Sequence, residues 1–270
     1  MTVKRVGTYR ALDCVFELRT HSALADPLES ALVDLRCDDA PDDRLVVRYR
    51  RRSGWECRWH RAGRDHSHGE TVREEGDALQ DALAHISAAA ARSASAHDAV
   101  LHGGAVAIDG HAVALVGHDG SGTAVLAATA VLDGHLHVSN DVAAIDPNGR
   151  VRCFARPVGL KPEEADGLGV EIPPGPFDTV FPFRIAPTSH GENLMPLRAV
   201  FLVQTSDVDR CERIDPADAL VELYRNSVGA EGSERRMFAR LETVVRTVPV
   251  HRLEWQSHRA GIEQIRTTLS

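Results

Sequence analysis

The stretch LVGHDGSGTAVLA, residues 115–127, decides how this chain is read. An apolar run gives way to three glycines, Gly117, Gly120 and Gly122, and a second apolar run follows. Gly117 and Gly122 have the GxxxxG spacing of a loop between strand and helix that cradles phosphate. Its bare backbone N–H groups and the helix N-terminus behind it together make an anion site. The complete motif goes on with a lysine for the outer phosphates and a Ser or Thr whose hydroxyl ligates magnesium. Thr123 and Ala124 stand in those places. The same spacing also describes a tight turn that binds nothing, in a chain with 21 glycines.

The flanks support the strand–loop–helix reading. VLHGGAVAIDGHAVALVG (100–117) holds two apolar runs around Asp109-Gly110, which is a hairpin signal. A helix is expected over about 123–133 and a strand at HLHVS (135–139). VAAID, the turn PNGR at 147–150 and VRCFA form a further hairpin. Ahead of this, residues 1–75 alternate short β-like runs (CVFELRT at 14–20, RLVVRYR at 44–50, ECRWHR at 56–61) with polar breaks. Leu79, Ala82, Leu83 and Ile86 then mark one face of a helix over 76–94. Residues 162–196 are rich in Pro and Gly and read as a long surface excursion of the kind that often carries function. Beyond it come a buried strand (PLRAVFLVQT, 196–205), a helix opened by Asp215-Pro216, a strand (VHRLEW) and a last helix (GIEQIRTTL).

Bulk properties exclude more than they identify. With 270 residues, 43% hydrophobic and 26% charged, the chain has the composition of an ordinary folded protein. No stretch reaches the roughly 20 apolar residues of a membrane span, and MTVKRVGTYR lacks the apolar run of a secretion signal, so the expected address is the cytoplasm, with no membrane partner. Five scattered cysteines, none in a CxxC pair, do not describe a disulfide framework or a thiolate zinc site. A net charge of −8 and no long basic stripe argue against nucleic acid as a partner. RYRRR at 48–52 is the one basic run and reads as the solvated end of a strand. Lys4 and Lys161 are the only lysines among 31 basic residues, so Lys161 stands out as a candidate for chemistry that guanidinium cannot perform.

LHGGAVAIDGHAVALVGHDGSGTAVLAATAVLDGHLHVSNDVAAID (101–146), followed by RPVGLK (156–161), resembles the catalytic domain of the HPr kinase/phosphorylase family and its shorter relatives encoded with peptide natural-product pathways. The order agrees: His-Gly on the strand before the loop, loop and helix, a strand ending in a Ser-Asp-Asp-like triplet, then Arg-Pro and Leu-Lys. The resemblance implies a P-loop α/β domain over 96–270 behind a small strand-rich lobe with its linking helix at 1–95. It implies that His102 is the active-site histidine and that Asp141 serves magnesium or the acceptor hydroxyl. Arg156 and Lys161 fall on a segment that contacts phosphate or acceptor. Gly117, His118, Asp119, Gly120, Ser121, Gly122 and Thr123 would hold the phosphates of ATP or another donor.

Thr123, Ala124 and Asn140 depart from that pattern, and each departure removes charge or ligation from one small volume. Magnesium and ATP are therefore doubtful cofactors, because phosphoryl transfer depends on positioning and charge neutralisation. Lys161 or Arg156 would have to replace the missing lysine. Three functions follow: a diverged phosphotransferase acting on a hydroxyl of a protein, peptide or small molecule; a pseudokinase that binds a protein or peptide partner; or a metal-dependent enzyme built from His102, His118, His135 and His137. A homo-oligomer is left open. Ser121, His102 and Asp141 do not make a hydrolase elbow, since GHDGSGT is not GxSxG.

Overall fold

The computed structural model describes residues 3–61, 64–66, 71–154, 156–170, 181–183, 194–229 and 234–270. In chain order the elements are β1 (Val3–Ala11), β2 (Cys14–His21), α1 (Ser22–Ala31), β3 (Asp43–Arg50), β4 (Gly54–Arg61), β5 (Arg64–His66) and α2 (Glu75–Ala94). Then come β6 (Ala99–Ile108), β7 (His111–Val116), α3 (Thr123–Leu132), β8 (Leu136–Ser139), β9 (Val142–Ile145), β10 (Arg150–Arg152), β11 (Val158–Leu160), α4 (Pro162–Gly167) and β12 (Phe181–Phe183). The last third holds β13 (Leu194–Thr205), β14 (Arg210–Arg213), α5 (Pro216–Arg225), α6 (Glu234–Thr247), β15 (Val250–Trp255) and α7 (His258–Leu269). Among these, no helix is long and apolar enough to cross a membrane.

The chain forms two compact units, one of residues 1–93 with 159–184, the other of 94–158 with 185–270. The first is built on a mixed five-stranded sheet in the order β1-β2-β3-β4-β5, with β2 and β3 parallel and the other pairs antiparallel. Strict alternation puts Phe16, Leu18, Leu45, Val47, Trp55, Cys57 and Trp59 on its buried face. Helix α1 is not anticipated by the sequence pattern because Pro27 lies inside it. Its start is fixed instead by His21, whose Nδ1 accepts the Ala23 amide. The excursion expected at 162–196 opens as α4, and its 171–180 and 184–193 lie outside the described residues, as do Ser67 and His68.

The second unit is centred on an eight-stranded mixed sheet, β10-β9-β6-β7-β13-β15-β14, with β8 also on β6 and β10 also on β13. The hairpin β6–β7 turns at Asp109 and Gly110, both with positive φ, as the two-residue turn requires. β13 runs parallel to β7 on one side and to β15 on the other, so three carboxyl ends meet at one edge. Both of its inner neighbours bury it, which explains its continuous apolar run. Against the sheet, α3 packs on β6 and on α7, while α5 and α6 pack together. Arg240 of α6 donates to the carbonyls of Ser95, Ala96 and Asp98 and so satisfies the segment leading into β6.

Helices α3 and α7 meet at Gly261. A Cβ there would lie 2.7 Å from Leu126 Cδ2 and 3.3 Å from Trp255 Cγ, so the closeness of the two helices depends on the missing side chain. Gly261→Val is expected to lower stability by about 1–3 kcal/mol through overpacking, read as a lower urea midpoint with an unchanged slope.

Candidate functional site

The glycine loop is the link between β7 and α3, as its spacing predicts. Gly120 and Gly122 both take left-handed φ, +83° and +87°. At Gly120 an added Cβ would meet open space, so the requirement is conformational. At Gly122 it would also lie 2.3 Å from the Trp255 ring, which means the indole is packed directly on the bend. Gly122 caps α3 without any side-chain acceptor, leaving the first-turn amides of the helix with no cap from a side chain. Ser121 turns its side chain over Gly117, where a Cβ would meet Ser121 Oγ at 2.4 Å. Both Ser121 Oγ and Trp255 Nε1 are buried and have no hydrogen-bond partner among the described residues.

This loop lines one side of a cleft of about 620 Å³. The floor is the carboxyl end of β13 (Leu202–Thr205), and Arg252 and Glu254 of β15 with Glu222 and Asn226 of α5 complete it. That is where open α/β sheets place ligands, outside the carboxyl ends of parallel strands. The volume lies in the range of small-molecule sites. Sequence reading finds the loop but not Glu222, Asn226, Arg252 and Glu254, which arrive from elements about a hundred residues later. The alternation of VHRLEW could have separated Arg252 and Glu254 from Leu253 and Trp255.

His102 lies next to the loop through its backbone. Its carbonyl accepts the Gly117 amide at 3.2 Å and its own amide donates to the Asn226 carbonyl at 2.8 Å. Across the sheet it faces Val142, and the neighbouring Gly103 amide reaches the Asp141 carbonyl at 3.2 Å. The main chains of His102, Gly117 and Asp141 thus converge. Lys161 belongs to the first unit, where it is exposed ahead of α4 and its amide donates to the Glu164 carboxylate at 2.7 Å.

The triplet Ser139-Asn140-Asp141 is a corner between β8 and β9. Ser139 Oγ donates to the Val142 carbonyl, and Asp141 holds a left-handed φ of +63°. Asn140, buried, donates from Nδ2 to the Pro157 carbonyl at 3.0 Å and from its amide to Phe154. A carboxylate could not make that donation. The Asp141 carboxylate is in contact with the Arg156 guanidinium, and burial of Arg156 brings its pKa down to about 10. The charge that would ligate a cation is already answered by a fixed one.

The residues present therefore do not fit magnesium at the position the motif assigns it: Ala124 has no hydroxyl, Asn140 is engaged as a donor, and Asp141 is paired. Nor does the histidine-metal alternative find its ligands, since no group of three His, Cys, Asp or Glu able to hold an ion occurs among the described residues. His135 and His137 do not share a strand face as their spacing suggests. The Gly134 amide bonds to the Val131 carbonyl and the His135 amide to the Ala130 carbonyl, so His135 still closes the end of α3 and β8 starts one residue later. His135 Nδ1 faces the Asp109 turn, whereas His137 is buried.

No protein-family model matches the chain, and no curated protein matches it. Among solved structures, the HPr(Ser) kinase/phosphatase from Coxiella burnetii is similar with a TM-score of 0.33 and 12% identity over 63% of this chain and 95% of that one. No residue correspondence follows from a likeness of that size.

Replacing Asn140 by Asp, the residue of the kinase pattern, is expected to cost about 1–3 kcal/mol in urea denaturation, because a donor is lost and a carboxylate is set against a carbonyl. A second expectation concerns pH. Burial pushes His137 from its ordinary 6.5 down to about 4, so between those values the unfolded chain takes up a proton that the folded one refuses. Stability contributed by this residue is complete above pH 6.5 and declines as pH falls toward about 4, a slope that His137→Phe should flatten in urea midpoints measured across that window.

Proposed function

We propose that this chain is a diverged HPr-kinase-like P-loop protein whose glycine cradle still binds a phosphate-bearing ligand, by main-chain amides and without magnesium. The observation that carries this reading is the left-handed bend at Gly120 and Gly122, which joins a cleft of about 620 Å³, lined by Gly117 to Ser121, to the N-terminus of α3, where the N-cap offers no side-chain acceptor. Such an end attracts an anion through its N–H groups and its dipole, independently of any side chain. The buried, unpartnered Ser121 hydroxyl gives the same point a donor that a phosphate oxygen would satisfy.

Binding and turnover separate at the corner beside the loop. A kinase neutralises developing charge with a lysine and metal ions, and each lost stabiliser costs about a hundred- to a thousandfold in rate. Here the lysine is Thr123, the hydroxyl ligand is Ala124 and the carboxylate of Asp141 faces Arg156. These features favour a phosphate-binding pseudokinase whose output is a change in how it engages a protein or peptide. An active phosphotransferase is the second reading. In it, Asp141 would exchange Arg156 for the acceptor hydroxyl, with His102 assisting from beside Gly117. The backbone convergence of these residues is what favours it.

Calorimetry with ATP, ADP and inorganic phosphate distinguishes the two. The first reading expects binding that magnesium alters by less than about threefold and that Ser121→Ala weakens, with Asp141→Ala leaving affinity intact. Affinity that requires magnesium, together with phosphoryl transfer abolished in Asp141→Ala, would establish the second. Absence of binding by all three ligands would overturn both.

A further inference from the structure

The outer face of the five-stranded sheet in the first unit carries an array of arginines. Alternation along β2, β3 and β4 places Glu17, Arg19, Arg44, Val46, Arg48, Arg50, Glu56, Arg58 and His60 on one side, opposite the buried Leu18, Leu45, Val47, Trp55, Cys57 and Trp59. Arg5, paired with Arg19 across β1–β2, joins them. Two glutamates organise the array. Glu17 accepts Nε of Arg19 and Arg44 at 2.6 and 3.0 Å and forms an ion pair with Nε of Arg5 at 2.9 Å. Glu56 accepts Nε of Arg48, Arg50 and Arg58 at 2.8, 2.8 and 2.6 Å.

The geometry of these contacts is what makes the face a binding surface. In all six pairs Nε, the inner nitrogen, makes a short contact with the glutamate. Arg5 Nη2 donates to Thr8 Oγ1, and the six arginine side chains are 32–59% exposed, while Glu17 and Glu56 are only 13% and 15% exposed. The acids are covered by the bases. Two carboxylates answer two of six positive charges, which leaves the face strongly basic in a chain whose net charge is −8. Burial opposes ionisation of Glu56, yet its bonds from Arg48 and Arg58 hold it down at about 2, so both trios stay assembled at neutral pH.

We infer that this face docks an acidic segment of a protein partner. Charge complementarity identifies the class, since exposed guanidinium forks accept carboxylates in pairs. Arg44 and Arg48, four residues apart on β3, set the two trios about 13 Å apart by the strand rise, a span that a short extended peptide bridges. Single-stranded nucleic acid fits less well. Its bases stack on aromatic rings, and Trp55 and Trp59 lie on the opposite, buried side of the same strands. A long polyanion would also meet the overall negative charge of the chain.

The test is fluorescence anisotropy of a labelled short polyglutamate peptide with the full chain at low salt. Saturable binding is expected, weakening steeply as salt rises to about 0.5 M. Arg19→Ser with Arg44→Ser and Arg50→Ser should weaken it by roughly tenfold or more, with circular dichroism unchanged, while Arg225→Ser with Arg246→Ser, on the helices of the second unit, should not. Glu56→Gln sets three guanidiniums free and should tighten binding several-fold, a direction that a merely structural role would not produce. The inference is overturned by an absence of saturable binding, by equal loss in both sets of arginine variants, by weaker binding in Glu56→Gln, or by an oligonucleotide of equal charge binding more tightly than the peptide.

Discussion

The second unit depends on one indole. Trp255, at the carboxyl end of β15, lies within contact of Gly122 in the loop and of Gly261 in α7, and neither glycine could carry a side chain without meeting its ring. A rigid aromatic held between two glycines fixes distances that a flexible side chain would leave loose. The bend ahead of α3 is therefore set by packing from β15, two strands away from β7 in the sheet. Because the loop's shape is imposed by the core, it can persist after the residues that handle a triphosphate are gone. The shape of such a cradle and the chemistry of its side chains are physically separable.

Beside the loop, the polar groups of the corner between β8 and β9 are already engaged. Ser139, Asn140 and Asp141 spend their polar groups on Val142, Pro157 and Arg156. A buried amide that donates to a carbonyl is worth keeping only as an amide, and a carboxylate beside a buried guanidinium relieves a charge that burial alone disfavours. Each contact makes the corner firmer and the site poorer in free negative charge. A cation would have to break these bonds to enter, which gives Asn140, one of the three departures from the kinase pattern, a structural reason of its own.

Much of this was legible in the sequence, and the reasons differ by element. The hairpin at Asp109-Gly110, the glycine bend and the strand at 196–205 are dictated by local chemistry, so they could be read locally. Helix α6 was missed: Met237, Leu241, Val244 and Val245 recur at helical spacing and are buried, but its polar, arginine-rich exterior masks that stripe. The role of Trp255 was not legible, because nothing near position 255 announces a glycine more than a hundred residues earlier. Asn140 was misleading in the opposite way. Alignment to a pattern presents it as an aspartate lost, whereas its Nδ2 bond to Pro157 shows it as a donor required. The membership of residues 159–184 in the first unit is a long-range fact that no composition shift marks.

The scarcity of lysine acquires a physical sense from the first sheet. An ammonium is a single point of charge, and three of them around one carboxylate would crowd and repel with nothing left over. A guanidinium can lay Nε against the acid and still present its outer nitrogens to something else, so three can share one glutamate while remaining available. Both Glu17 and Glu56 are used in this way, on β2 and β4, the strands that flank β3 on either side. The basic run RYRRR, which alone reads as the solvated end of a strand, is then one edge of a surface assembled from four strands. Its parts are spaced so widely in sequence, from Arg5 to Arg58, that only the register of the sheet brings them into a single field.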